Sequence, residues 1–171
     1  AAGTETCFGE NAERMGINEV NFSFEGHNVS RSRGLKVLTP KELKVGDVSL
    51  AYVGKLMNRD YRDTPLFRNV LRSIWHLINN GQQIFVVGCV KGDGTVKGGT
   101  GWGAEFAKLC NKPLYVFEQN EDIWLQWVEA KFCRCEIPPR ITEQNFTGTG
   151  TRTLADNGRQ AIEELFKRSF A

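Results

Sequence analysis

Three short segments combine glycine with hydroxyl-bearing or charged side chains: Ala1-Ala2-Gly3-Thr4-Glu5, Gly98-Gly99-Thr100-Gly101-Trp102-Gly103 and Thr147-Gly148-Thr149-Gly150-Thr151-Arg152. Each reads as a small-residue loop that feeds a helix. Glycine lets the backbone take positive φ and lets a ligand approach the main chain. The helix N-terminus then offers unsatisfied N–H groups and partial positive charge to a phosphate. Threonine hydroxyls add donors, and Arg152 adds a charged fork. One such loop alone is as readily a tight turn between packed elements. Three in one chain point to a shared site built from Gly3, Thr4 and Glu5, from Gly98, Gly99, Thr100 and Gly101, and from Thr149, Gly150, Thr151 and Arg152. No segment ends in Gly-Lys-Ser/Thr, and none is a clean G-x-G-x-x-G. Glu105 sits about one turn into the helix after Gly101. A carboxylate there accepts hydrogen bonds from a ribose, or acts as general base or nucleophile. It is equally a favourable acid in a first helical turn.

Other reactive side chains are scattered. The five cysteines (Cys7, Cys89, Cys110, Cys133 and Cys135) are odd in number and show no zinc-pair spacing, and His27 and His76 lie far from them. No metal or other cofactor is expected, and the thiols read as structural in a reducing, cytoplasmic compartment. His27 follows a strand and is a candidate for the rim of a site. Arg31 and Arg33 lie in a loop that reads more readily as solvated than as phosphate-binding. Trp102 sits inside the glycine segment, where an indole either stacks on a base or anchors the helix to the sheet.

The elements that must position these residues follow from periodicity. Apolar spacing predicts a helix over residues 5–15, a strand over 19–24, and a helix start at Thr39-Pro40-Lys41-Glu42 with Thr39 as N-cap. A short helix is expected over 50–57. A longer one runs from Thr64-Pro65 to about residue 79, with Leu66, Val70, Ile74 and Leu77 as its apolar stripe. Residues 83–90 (QIFVVGCV) form a continuous apolar run, the mark of a strand covered on both faces and hence of a parallel sheet. A helix from about 102 to 110 and a second buried strand over 113–117 follow. One or two strands are expected within 123–136, a short strand over 144–147, and a closing helix over 154–170. Strand, glycine turn, helix and strand in succession is βαβ grammar. The 171 residues fit one domain, and no apolar run is long enough to span a membrane. With 22 basic and 20 acidic residues the net charge is +2, which gives no electrostatic case for binding nucleic acid.

The run Lys97-Gly98-Gly99-Thr100-Gly101-Trp102-Gly103-Ala104-Glu105 resembles the P-G-G-x-G-T-x-x-E motif of the Lonely Guy phosphoribohydrolases. These belong to the Smf/DNA-processing-protein-A/Lonely Guy (SLOG) superfamily of Rossmann-like nucleotide binders. Gly98, Gly99, Gly101 and Glu105 match in spacing, while Lys97 stands for Pro and Trp102 for Thr. Val87 to Gly101, with Arg68-Asn69 in the preceding helix, is similar to phage and bacterial relatives of unknown function. Phe146 to Arg152 resembles the G-x-G-[ST]-R turn after the superfamily's first strand, and Gly3-Thr4-Glu5 resembles the end of its S-G-G-A-x-G-x-D segment. The order looks circularly permuted, as in the YpsA-like branch. The resemblance covers most of the chain, although residues 26–60 and 119–140 match little.

The resemblance implies a Rossmann-like three-layer α/β sandwich with a mainly parallel, circularly permuted sheet, and a strand ahead of Gly3. It implies a nucleotide-like small-molecule ligand and allows a homodimer. In Lonely Guy enzymes an arginine works with the glutamate on the ribosyl phosphate, a place open here to Arg68 or Arg72. Two functions follow as expectations. One is a module that binds or senses a nucleotide or nucleoside-phosphate derivative without turnover. The other is a phosphoribohydrolase that cleaves the N-glycosidic bond of a nucleoside monophosphate, with Glu105 at the ribosyl centre and Arg68 on the phosphate. The replaced Pro and Thr favour the first.

Overall fold

A computed structural model describes residues 2–61 and 64–171. Ala1, which opens the first glycine segment, lies outside the described residues. The protein is an α/β fold with a mixed five-stranded sheet and a separate two-stranded parallel sheet. Helix α1 (Thr4–Arg14) leads into β1 (Asn21–Phe24) and β2 (Leu35–Leu38). A short α2 (Pro40–Leu43), a 3-10 turn (Lys44–Gly46), α3 (Asp47–Met57) and α4 (Pro65–Asn80) follow. The chain continues through β3 (Gln83–Gly88), α5 (Thr100–Leu109), β4 (Leu114–Glu118), β5 (Ile123–Val128), β6 (Lys131–Arg134), β7 (Phe146–Gly150) and α6 (Asp156–Phe170). No helix among the described residues is long and apolar enough to cross a membrane.

The large sheet runs β6-β5-β4-β3-β7. β3 pairs in parallel with β4 on one side and β7 on the other. β4–β5 and β5–β6 are antiparallel, so the sheet is mixed where a mainly parallel one was expected. Connection length is the reason. Residues 119–122 are too few for a parallel crossover. β5 turns into β6 through Glu129 and Ala130, both at positive φ (50° and 62°), as a two-residue hairpin requires.

β3 is buried along its whole length and divides the core. Its alternating side chains face opposite ways. Ile84 and Val86 join Leu114 and Val116 beneath α3, α4 and α5. Phe85 and Val87 join Phe117 beneath α1 and α6. Each side chain of this size contributes about 1.5–3 kcal/mol on full burial.

Thr39 starts α2 with the reciprocal bonds of a capping box to Glu42, and Thr64 caps α4 through Phe67 N. The stripe of α4 is rotated from the expected one. Leu71 and Ile78 are buried with Phe67 and Ile74 packed beside them, whereas Leu66 is exposed. Val70 turns instead to the small cluster of Phe24, Leu38 and Leu43 under the two-stranded sheet.

Candidate functional site

The chain leaves β3 toward α5 on one face and leaves β7 toward α6 on the other. The glycine-bearing segments lie about the carboxyl ends of these two neighbouring parallel strands.

The first wall is the loop from Cys89 to Gly99. An antiparallel bridge between Val90 and Val96 folds it into a small hairpin. Asp93 at its tip accepts from Thr95 N (2.9 Å) and Thr95 Oγ1 (2.6 Å), which hold its carboxyl down at about 2. Arg59, just past α3, crosses to the loop's base. Its guanidinium donates to Gly98 O (3.0 Å), Val96 O (3.2 Å) and Thr95 Oγ1 (3.3 Å). Gly98 has φ +71°, a conformation that favours glycine. Gly99 has φ −59° and ψ −30°, which any residue adopts. A Cβ on either would touch nothing within 4 Å. The amides of Gly98, Gly99 and Thr100 donate to no backbone acceptor among the described residues. Arg59, Asp60, Phe67, Lys91, Lys97, Gly98, Gly99 and Trp102 line a groove of about 500 Å³ here. Thr100 opens α5 beside Gly88. Gly101 packs against the Val96 carbonyl and Arg59. Trp102 is buried edge-on to Tyr61 (5.7 Å between ring centroids), so its indole anchors the helix.

The opposite wall comes from β7 and α1. Gly148, Thr149 and Gly150 lie within β7 and not in a loop, which corrects the expected glycine–threonine turn. A Cβ at Gly148 would strike the ring of Phe8, and one at Gly150 would strike the backbone of Val87. Packing accounts for both glycines. Thr149 is buried and donates to Glu5 Oε1 (2.8 Å), so both of these candidates spend hydrogen-bonding capacity on one another. Thr151 and Arg152 extend beyond the strand. Thr151 N donates to Val87 O (2.9 Å), and Thr4 donates to Thr151 O through N (3.2 Å) and Oγ1 (2.9 Å). Gly3 has φ +84°, and a Cβ there would collide with the carbonyls of Thr151 and Arg152.

His27 lies just past β1, close enough to Arg152 to feel its charge. Its ring stacks on Phe24 (4.6 Å) with Nδ1 3.1 Å from Ser23 Oγ. Burial, with the positive charge of Arg152 adding to it, holds the imidazole below its ordinary pKa. At the end of β3, burial and then the charge of Glu118 keep the Cys89 thiol above its ordinary pKa, so it stays protonated.

The expected catalytic pair is not assembled. Glu105 is 4% exposed and binds Lys108 Nζ at 2.6 Å. Lys108 also donates to Gly94 O (2.9 Å) and lies 3.8 Å over the Trp127 ring. Arg68 makes no hydrogen bond or ion pair to Glu105, and among the described residues its buried Nε has no partner. Arg72 is committed to Asp47 (2.7 Å). Sequence reasoning missed Arg59, because its partners lie 36 to 39 residues away and no spacing rule connects them.

Gly3, Thr4, Thr151 and Arg152 thus meet directly. Among the described residues no group of three or more His, Cys, Asp or Glu side chains is suited to hold a metal ion. Comparison with family models, with curated proteins and with solved structures gave no match.

Proposed function

We propose that this chain binds a nucleotide or nucleoside-phosphate derivative at the carboxyl ends of β3 and β7, as a binding or sensing module without turnover. In this proposal the mixed sheet with helices on both faces is a Rossmann-like domain in circularly permuted order. Its ligand occupies the crevice where the strand exits diverge, as in other open α/β sheets. The phosphate lies over the amides of Gly98, Gly99 and Thr100 at the start of α5, with Lys91 and Lys97 at the groove wall. In this reading Arg152 and His27 complete the site from the β7 side.

The observation that supports this best is Gly99. Its backbone is ordinary and its surroundings are open, so neither conformation nor packing calls for glycine there. A ligand lying against the main chain does. The phosphoribohydrolase alternative has less support, since Glu105 is buried in an ion pair with Lys108 and does not meet Arg68.

The test is calorimetric titration of wild type and Gly99→Ala with a panel of nucleoside mono-, di- and triphosphates. The substitution is expected to change stability by less than about 1 kcal/mol and to weaken binding at least about tenfold through steric exclusion. Nucleoside monophosphates are expected to release no free base. Equal affinity in wild type and variant, or no binding by either, refutes the proposal.

A further inference from the structure

A cleft of about 310 Å³ lies between α6 and the β5–β6 hairpin with the segment that follows it. Phe117, Trp124 and Ala161 line it with apolar surface and are themselves buried. Glu164 and Arg168, one turn apart on α6, border it as well. The Arg168 side chain is only 23% exposed. Its Nε donates to Pro139 O (3.3 Å), and its Nη1 stands 3.8 Å from Glu164 Oε2, beyond hydrogen-bond reach. The buried Nη2 has no partner among the described residues. Burial lowers the pKa of this guanidinium despite the Glu164 carboxylate nearby. Folded proteins rarely leave a buried donor without an acceptor, and here a cleft beside the donor gives an acceptor room to enter. The other charges at the cleft are Asp122, Arg134 and Glu136. Asp122 is held by Asn157 (3.2 Å), while Arg134 and Glu136 are exposed and opposite in sign.

We infer that this cleft binds a free α-amino acid with an aromatic or aliphatic side chain. The ligand's carboxylate pairs with Arg168, its ammonium with Glu164, and its side chain lies against Trp124 and Phe117. The pairing of charges selects this class. A carboxylate alone satisfies Arg168 with a charge-assisted bond but meets the like charge of Glu164 beside it. An amine alone leaves Arg168 as it is. In an α-amino acid the nitrogen and the carboxyl carbon lie about 2.5 Å apart by covalent geometry. That spacing is of the same order as the 3.8 Å between the two protein charges, so one small molecule meets both. A ligand of this size makes few contacts, so binding is modest, with a Kd of about 0.1–1 mM. The cleft shares no residue with the site at the ends of β3 and β7, so nucleotide titrations do not bear on it.

Titration of the whole chain, followed by amide and indole shifts in nuclear magnetic resonance, tests this with three probes: L-phenylalanine, 3-phenylpropionate and 2-phenylethylamine. L-Phenylalanine is expected to saturate, with shifts at Trp124 and along α6. The two probes that carry only one of its charges are each expected to bind at least about tenfold more weakly. Arg168→Met keeps the aliphatic stem and is expected to weaken L-phenylalanine at least about tenfold, with no large fall in melting temperature, since the lost group makes a single hydrogen bond. Glu164 is half-exposed, so Glu164→Gln is expected to fold like wild type. It is expected to weaken L-phenylalanine and to tighten 3-phenylpropionate, because the repelling charge is gone. No saturable binding of L-phenylalanine at about 10 mM, far above that range, overturns the proposal. So does 3-phenylpropionate binding wild type as tightly as L-phenylalanine, or a Glu164→Gln chain that treats the probes as wild type does.

Discussion

Replacing Lys108 by Met is expected to be among the most damaging single changes outside the apolar core. Lys108 Nζ lies 2.6 Å from Glu105 Oε1, and the two side chains are only 11% and 5% exposed. Met keeps the volume of the aliphatic stem against Trp127 and Phe132 but removes the charge. Glu105 is then a buried carboxylate without its partner. Breaking a buried pair from one side costs about 3–5 kcal/mol. In a chain of this length that lowers the melting temperature by about 10 °C. Removing both charges is far milder, because an apolar pair of similar volume replaces the ion pair. Lys108→Met/Glu105→Met is therefore expected within about 1 kcal/mol of wild type. Urea unfolding followed by tryptophan fluorescence measures all three chains. A loss under about 1 kcal/mol in Lys108→Met, or a double variant no more stable than the single one, refutes the reasoning. The double variant also separates the two functional expectations. Nucleotide binding is expected to survive it, whereas a ribosyl-directed Glu105 requires that binding or turnover fail.

Gly148→Ala forces a methyl group against the Phe8 ring and is expected to cost about 1–3 kcal/mol, read as a lower urea midpoint with an unchanged m-value. Arg59→Ala frees the carbonyls of Val96 and Gly98; faster amide exchange is expected over residues 95–101, with ligand affinity reduced about tenfold. Acid is expected to loosen the loop between β1 and β2 from the segment that leads into β1. Arg31 bonds Glu19 and holds its carboxyl below the ordinary glutamate value. This contribution is therefore present above the ordinary value and is lost as pH falls through the lower folded one. Arg31→Met is expected to flatten that acid limb in a series of unfolding measurements across pH; an unchanged limb counts against the linkage.

Much of the fold is legible in the sequence because local signals agree with tertiary ones. Thr39 and Glu42 form the box their spacing announces, and the apolar run at 83–90 becomes the central buried strand. β2 leaves no trace in the pattern: three of its four residues are exposed, and its parallel pairing with β1 spans the polar loop between them. The stripe of α4 is misread because Leu66 and Phe67 offer two overlapping periodicities, and only packing against α5 selects Phe67. In the site, composition overcounts. Glycine serves packing and ligand approach alike, and sequence does not separate Gly148 and Gly150, fitted to Phe8 and Val87, from Gly98 and Gly99, which face open space. Glu105 and Lys108 stand three residues apart on one helix, so their ion pair is readable in principle. Arg59 is not readable, since the fold alone carries it to the loop.

The most direct measurement is a map of backbone amide shifts by nuclear magnetic resonance while adenosine monophosphate, and separately inorganic pyrophosphate, is titrated into the chain. Saturable shifts are expected in Gly88 to Val90, Gly98 to Gly101, Thr151 and Arg152, and Gly3 and Thr4, with the His27 imidazole rising in pKa as an anion settles beside it. Shifts confined to other surfaces, or none at millimolar ligand, contradict a phosphate site at the ends of β3 and β7.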